Sequence, residues 1–513
     1  MKIKLINLVF IVEVILFGLI ITGVLPRVVA LYLGGGLAVY FLFASLEDAT
    51  VFFVRSIPLF LALPLTGTFD NFNIWRILSV IIFIKWLAEL KDYKAVIKKF
   101  HSSKVSFLLH ALFIMAVLSV IPAVDKMTAI KRIIYFFNLA LIGFVIYDLT
   151  SRNSDFARRL IKNIAIPTVI VALVGFAQVI STYFMDVYQF MRIWGEGIQC
   201  RQFGEGWCYI AVHLGNTWLA YYGDQLSLRV FSLFPDSHSF PQFLLLGLPA
   251  VFAISIQKLF KPEYINNLKK MFRTRVSMNI VWVPVIFLAA ILSGTRGIWA
   301  ASAGVLIIIA TIIYWMKRTG AEKGHKNIFI YVASYMLVFF LLFSVAYPIF
   351  VSPQFLLSKG DWALFGNRIR SIIDFGETSN AQRIMIWKAS LKSIIRHPLL
   401  GVGIGNFPIV LGQNILLSKA GSSAHNIYLH IAAEMGIPAL LAALWFLWLL
   451  FKKNYADFIS NDEPILTTYY GAALIFVPWV LIYCLTDVAL FDERAFLLFV
   501  TTVSLILANK NAG

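Results

Sequence analysis

Apolar stretches recur from one end of this chain to the other, each bounded by a short polar connection. A helix needs roughly 20 apolar residues to cross a bilayer, and in hydrocarbon each backbone group must be bonded within its own segment. The pattern therefore predicts an all-α integral membrane fold of about fourteen transmembrane helices. The first spans fall near Leu5–Val24, Val28–Leu46, Val51–Leu65, Ile74–Leu90, Val105–Ala123, Ile130–Leu149 and Leu160–Tyr183. The remainder fall near Phe240–Ile256, Val276–Ser293, Ile298–Met316, Ile328–Phe350, Ile427–Leu450, Ile465–Leu485 and Ala495–Ala508. Val51–Leu65 is short and carries Pro58 and Pro64, so thirteen crossings or a re-entrant segment also satisfy the pattern.

Two connections break the rhythm by their length, about Met185–Ser239 and Val351–Ala424. They divide the chain into helices over 1–184, a loop over 185–239, helices over 240–350, a second loop over 351–424 and helices over 425–513. Connections this long within a compact bundle usually carry function. Inside the second lies AQRIMIWKASLKSIIRHPLLG, where Ile384, Trp387, Leu391, Ile394 and Ile395 recur at helical spacing beside a basic stripe of Lys388, Lys392 and Arg396. Such a helix lies in the membrane interface, either as a brace or as a guide for an anionic lipid.

Composition agrees: 60% of residues are hydrophobic and 14% charged, against roughly 45–50% apolar in soluble chains. The basic residues gather on alternate connections, which marks those as cytoplasmic. They are Lys91, Lys94, Lys98, Lys99 and Lys104; Arg152, Arg158 and Arg159; Lys258, Lys261, Lys269, Lys270, Arg273 and Arg275; Lys317, Arg318, Lys323 and Lys326; and Lys452 and Lys453. Both termini are then cytoplasmic and both long loops outside. The net charge of +18 follows largely from this asymmetry and does not point to nucleic acid. Lys2 and Lys4 precede an apolar run with no small-residue cleavage site after it, so that run is read as the first helix. Three cysteines exclude a disulfide framework, although Cys200 and Cys208 share one outer loop that a disulfide can close; Cys484 reads as membrane packing.

Candidate chemistry gathers outside. HPLLGVGIGNF runs from His397 to Phe407, and HNIYLHIAAEMGIP begins at His425. This order, a basic helix with Arg383 and Trp387, a Gly-rich turn ending in Asn406, then His-Asn opening a helix, resembles the O-antigen ligase and polymerase family. The resemblance reaches upstream to RVFSLFPDSHSF at Arg229 and to SGTRG, which carries Arg296, and covers about 229–436. His425, Asn426 and Gly436 fit the ligase spacing of His-Asn, nine residues, then Gly, but Ala439 departs from the residue expected three positions on, leaving ligase and polymerase both open.

The resemblance implies a membrane enzyme of the bacterial inner membrane that moves a saccharide from undecaprenyl diphosphate to an acceptor hydroxyl, on a lipid A core or on another saccharide. It implies no cofactor, nucleotide or metal. Such a reaction needs a base for the hydroxyl and cations for the leaving diphosphate. Histidine titrates near working pH, which suits His425 to the first task, although a histidine at a helix end also serves as an interfacial anchor. Arginine's planar fork suits Arg296, Arg383 and Arg229 to the second, although an arginine between apolar helices also snorkels to fix a hairpin. Asp236 and His238 read either as a second acid–base pair or as a helix cap. Asn426, His430 and Glu434, four residues apart, predict one helix face with Glu434 about 12 Å along the axis, for packing or for an acceptor groove.

Two other classes compete. A lipid-linked oligosaccharide flippase or other transporter would favour internal repeats and polar residues at midplane, and neither stands out. A cell-wall polymerase of the shape, elongation and division type is also polytopic, but the HNxYL segment argues against it.

Overall fold

The computed structural model describes residues 4–66, 72–90, 104–211, 217–222, 225–257, 266–273, 278–357, 378–413 and 422–508. The predicted basic positions Lys91, Lys94, Lys98, Lys99, Lys258, Lys261 and Arg275, and the predicted span start at Val276, lie outside them.

The chain opens with α1 (Leu5–Ile21), α2 (Val29–Phe43), α3 (Leu46–Ser56), α4 (Trp75–Glu89), α5 (Lys104–Leu118), α6 (Lys126–Arg152) and α7 (Ser154–Ser181). After the first long connection come α8 (Ser239–Ser255), α9 (Trp282–Leu292), α10 (Arg296–Arg318) and α11 (Lys323–Phe350). The second carries α12 (Thr378–Arg396), and the chain ends with α13 (Ile427–Met435), α14 (Ile437–Ser460), α15 (Pro464–Tyr483) and α16 (Glu493–Ala508). Among the described residues, six helices are long and apolar enough to cross a membrane: α6, α7, α10, α11, α14 and α15.

Helices α8 and α15 form the centre. Both are apolar on every side and buried along nearly their whole length, the behaviour of helices enclosed by other helices. Helices α7, α9, α10 and α16 pack around them. At one end of the bundle, charged connections tie together: Arg159 pairs with Glu47 at 3.0 Å and with Asp48, Arg158 lies 3.7 Å from Glu463, and His325 Nε2 sits 3.1 Å from the Asn461 carbonyl. From that end α15 climbs for 20 residues, about 30 Å, to Tyr483 at the other.

That other end carries the first long connection, which is folded rather than extended. Short helices Val187–Phe190, Cys200–Phe203 and Glu205–Ala211 and a π-helical stretch Met191–Gln199 precede an antiparallel pair, β3 (Leu219–Tyr222) with β4 (Gln225–Leu228). Cys200 and Cys208 are disulfide-bonded, and Cys484 is free and buried.

Two predicted spans are corrected. Val51–Leu65 is not one helix: α3 stops at Ser56, a 3-10 turn holds Pro58, and β1 (Ala62–Leu63) pairs with β2 (Phe72–Asn73). Proline removes a helical donor, and with Pro58 and Pro64 six residues apart the chain turns back in extended form. Ile427–Leu450 is interrupted at Gly436, with φ +87°, giving α13 and α14. Gly436 lies against the backbone of Leu399 and Leu400, so a side chain there would overlap it, and Ile437 N bonds the Pro398 carbonyl at 2.8 Å.

Candidate active site

The Gly-rich turn explains that interruption. Gly401 (φ +65°) lies on the Ala433 and Glu434 backbone, and Val402 N and Gly403 N bond the carbonyls of Ala433 and Glu434 at 2.9 Å. HPLLGVG thus docks on the end of α13. The nine residues between Asn426 and Gly436 are the whole of α13, so the spacing of the motif is the length of one short helix.

At the start of α13, His425 adopts the left-handed conformation, φ +45°, uncommon for a residue with a side chain. Neighbours hold it there. Asn426 Oδ1 caps the helix by accepting from Tyr428 N and Leu429 N, both at 3.0 Å. Ile427 N donates to the Cys484 carbonyl at 2.8 Å, and Trp387 Nε1 of α12 donates to the Ala424 carbonyl at 3.0 Å. The first of these bonds ties His425 to the loop over 484–492 that follows α15.

Asp487 lies on that loop and is 6% exposed. Its Oδ1 accepts from Val488 N and Ala489 N at 2.8 and 2.9 Å. Its Oδ2 faces two histidines, with His238 Nδ1 at 2.9 Å and His425 Nδ1 at 3.9 Å. Burial on its own would raise the Asp487 carboxyl, but the opposing charge and hydrogen bonding of His238, with a contribution from His425, hold it well below the usual carboxylate range.

The two rings differ. His238 Nε2 lies 3.3 Å from Arg229 Nη2, and its Nδ1 also lies 3.0 Å from the Tyr483 hydroxyl. Nε2 thus faces the guanidinium, and Nδ1 faces Asp487. Both nitrogens of His238 are engaged. The His425 side chain is 39% exposed, its Nδ1 is turned inward toward Asp487, and its Nε2 bonds no described residue.

Three arginines lie at the same end of the bundle, and one of them, Arg229, reaches His238. Arg229 is positioned by Val230 N bonding the Leu292 carbonyl at 3.1 Å, and its Nη2 donates to Thr295 Oγ1 at 3.4 Å. Arg296 opens α10, half-buried, beside Gly297, which packs so closely on Thr486 and Tyr483 that a side chain at 297 would overlap both. Arg383 on α12 lies, like Arg229, within electrostatic range of the Tyr483 hydroxyl. The structure therefore brings His425, His238, Arg229, Arg296 and Arg383 to one end of the bundle, around an aspartate and a tyrosine that sequence reasoning missed.

Other predicted residues lie elsewhere or act locally. Asp236 Oδ1 accepts from His238 N, Ser239 N and Ser239 Oγ at 2.7–2.8 Å, the capping arrangement at the start of α8. Asn406 bonds both backbone groups of Asp125, joining the Gly-rich turn to the start of α6. His430 and Glu434 approach to 3.5 Å on α13, Glu434 accepts from Phe407 N at 3.2 Å, and the His430 ring lies against Phe407 and Phe491. The predicted shared face thus holds for His430 and Glu434, whereas Asn426 turns back to cap. No group of three or more His, Cys, Asp or Glu with metal-binding geometry occurs among the described residues.

An all-helical bundle with six helices fit to cross a membrane and a polar centre at one end defines a membrane protein. Residues 282–444 match the family model described as O-antigen ligase, which supports the O-antigen ligase and polymerase family and, in general, an O-antigen ligase-like membrane glycan transferase. The match contains Arg296, Arg383, Asn406, His425, Asn426, His430 and Glu434, while Arg229, Asp236, His238 and Asp487 lie outside it. No curated protein matches the chain.

Proposed function

We propose that this chain transfers a saccharide from undecaprenyl diphosphate to an acceptor hydroxyl at the extracytoplasmic face of a bacterial inner membrane, with inversion and without a metal. About fourteen crossings with both termini cytoplasmic fit this reading. The observation that carries it is the partly exposed His425 ring, backed by a buried Asp487 at the end of the bundle that also holds Arg229, Arg296 and Arg383.

The acceptor hydroxyl gives its proton to His425 Nε2 as its oxygen bonds the anomeric carbon. The bond from that carbon to the diphosphate oxygen breaks on the opposite face, and the arginines stabilise the charge that the diphosphate gains. Asp487 steadies the imidazolium that forms, as an acidic partner does for a histidine base. The 3.9 Å gap is wider than a hydrogen bond, and such contacts often tighten only once substrates are bound. His238 stands behind as a fully bonded strut between Arg229 and Asp487.

The test is transfer by the purified protein from a preformed lipid-linked glycan, with chelator present and no nucleotide. Transfer should proceed undiminished. Activity restored only by a divalent ion or a nucleotide would overturn the mechanism.

A further inference from the structure

A second cationic site lies at the other end of the 484–492 loop. Arg76, in the first turn of α4, lies over the rings of Trp75 and Tyr135 at 5.4 and 5.5 Å. Arg132, on α6, lies over Tyr135 and Phe136 at 5.3 and 5.0 Å. Two guanidiniums therefore flank one tyrosine, and among the described residues neither side chain makes a salt bridge or hydrogen bond; Arg76 Nε is buried without a partner. The nearby carboxylates of Glu493 and Asp492, which also lie within electrostatic range of Tyr135, bond other groups. Glu493 accepts from Asn73 Nδ2 and Trp75 Nε1 at 2.6 and 2.8 Å, and Asp492 caps α16 through Arg494 N and Ala495 N.

A guanidinium held over a ring keeps its N–H edge free, and that edge matches a carboxylate or phosphate in bidentate fashion. The cluster adjoins the candidate active site. Tyr135 donates to the Phe491 carbonyl at 3.2 Å, Phe136 packs on Phe491 at 5.2 Å, and Phe491 is four residues from Asp487. Gly405 of the Gly-rich turn faces the Arg132 stem, and His430 lies within electrostatic range of both Arg132 and His425.

We infer that Arg76 and Arg132 form an anion subsite for the acceptor, gripping a carboxylate or phosphate on that saccharide while its hydroxyl reaches His425. This rests on the transfer reaction proposed above: inversion needs donor diphosphate and acceptor on opposite faces of the reacting carbon, and the arginines fall into two groups joined by one loop. An anionic phospholipid head group offers the same chemistry, and an apolar groove of about 470 Å³ lined by Ile130, Ile133 and Ile134, with Lys126, lies on the same helix. The experiment therefore separates the two sources.

The probes are trigalacturonate and its methyl ester, which is neutral and of similar size, binding to the full chain in phosphatidylcholine nanodiscs with and without phosphatidylglycerol. The trigalacturonate should bind about tenfold or more tighter than the ester, and Arg76→Gln and Arg132→Gln should each remove most of that preference. In transfer assays the same variants should raise KM for an acidic acceptor about tenfold, leave donor KM and kcat within about twofold, and respond little with a neutral acceptor. Arg132→Lys should restore part of the effect, which a folding defect would not allow. Raised donor KM, equal binding of acid and ester, or an effect seen only with phosphatidylglycerol would overturn the subsite. Binding is read without turnover, so absent transfer by the unaltered protein would count against the reaction and not against the subsite.

Discussion

His425 and His238 share one carboxylate oxygen of Asp487, yet their surroundings assign them different work. His238 has no free nitrogen, whereas His425 offers Nε2 toward the open side. We therefore expect His238→Ala to slow transfer through lost positioning of Arg229, raising donor KM, whereas His425→Ala acts on the chemical step. Asp487→Asn should lower the single-turnover rate by roughly a hundredfold to ten-thousandfold, because an amide cannot steady the imidazolium. It should also destabilise. The folded carboxyl is held below its ordinary range, so its stabilising contribution is complete above the unfolded value of about 3.9 and is lost only as pH falls through the lower folded value. Melting in detergent should show the gap between native protein and Asp487→Asn staying constant from pH 8 to about pH 5 and closing only in stronger acid. A gap that closes near neutrality would contradict the assignment. Asp487 was not legible beforehand because TDVALFDE is an ordinary polar tail after an apolar helix, and only tertiary packing turns one of its acids toward two histidines.

Among the elements, α13 shows how a motif is made by geometry. His-Asn, nine residues and Gly read as a spacing; folded, they are a cap, a helix and a break into which HPLLGVG inserts. A side chain at Gly436 or Gly401 meets backbone at a positive φ that side chains rarely adopt, so Gly436→Ala should cost about 1–3 kcal/mol and displace His425 from Asp487. Thermal unfolding in detergent reads the first, and loss of transfer at temperatures where the variant stays folded reads the second. Wild-type melting and rate would show the contact to be dispensable. The sequence pattern located α12 and its basic stripe, and there the apolar positions divide: Ile394 is buried against α13, while Met385, Leu391 and Ile395 are exposed beside Lys388 and Lys392. That exposed apolar and basic face supports an interfacial position. The broken helix escaped the pattern because hydrophobicity continues across Gly436, and a hydropathy window does not register a backbone turn that preserves it.

For the whole molecule, periodicity and hydropathy anticipated most helix limits within a few residues, since bilayer thickness constrains length more tightly than propensity does. The folded form of the first long connection and its hydrogen bonds to the turn between α9 and α10 were not anticipated, because they depend on contacts between distant segments. The alternating charges predict that Lys392 lies outside and Lys323 inside. Gly297 is a poor reporter because it has no room for a side chain, and His325 is buried, so Lys392→Cys and Lys323→Cys are the suitable pair. The native cysteines are bonded or buried and leave a low background. A membrane-impermeant maleimide on spheroplasts should label position 392 and spare 323; the reverse would place the His425 end in the cytoplasm.

The central claim, that His425 is the base and the arginines are diphosphate ligands, is tested most directly by donor affinity and single-turnover rate in nanodiscs for His425→Ala, Arg296→Ala and Arg296→Lys. His425→Ala should lower the rate about a hundredfold to ten-thousandfold with donor affinity nearly unchanged. Arg296→Ala should weaken both, and Arg296→Lys should recover only part, since a point charge replaces a bidentate fork. A wild-type rate in His425→Ala, with the variant folded, would make that histidine structural and contradict the account.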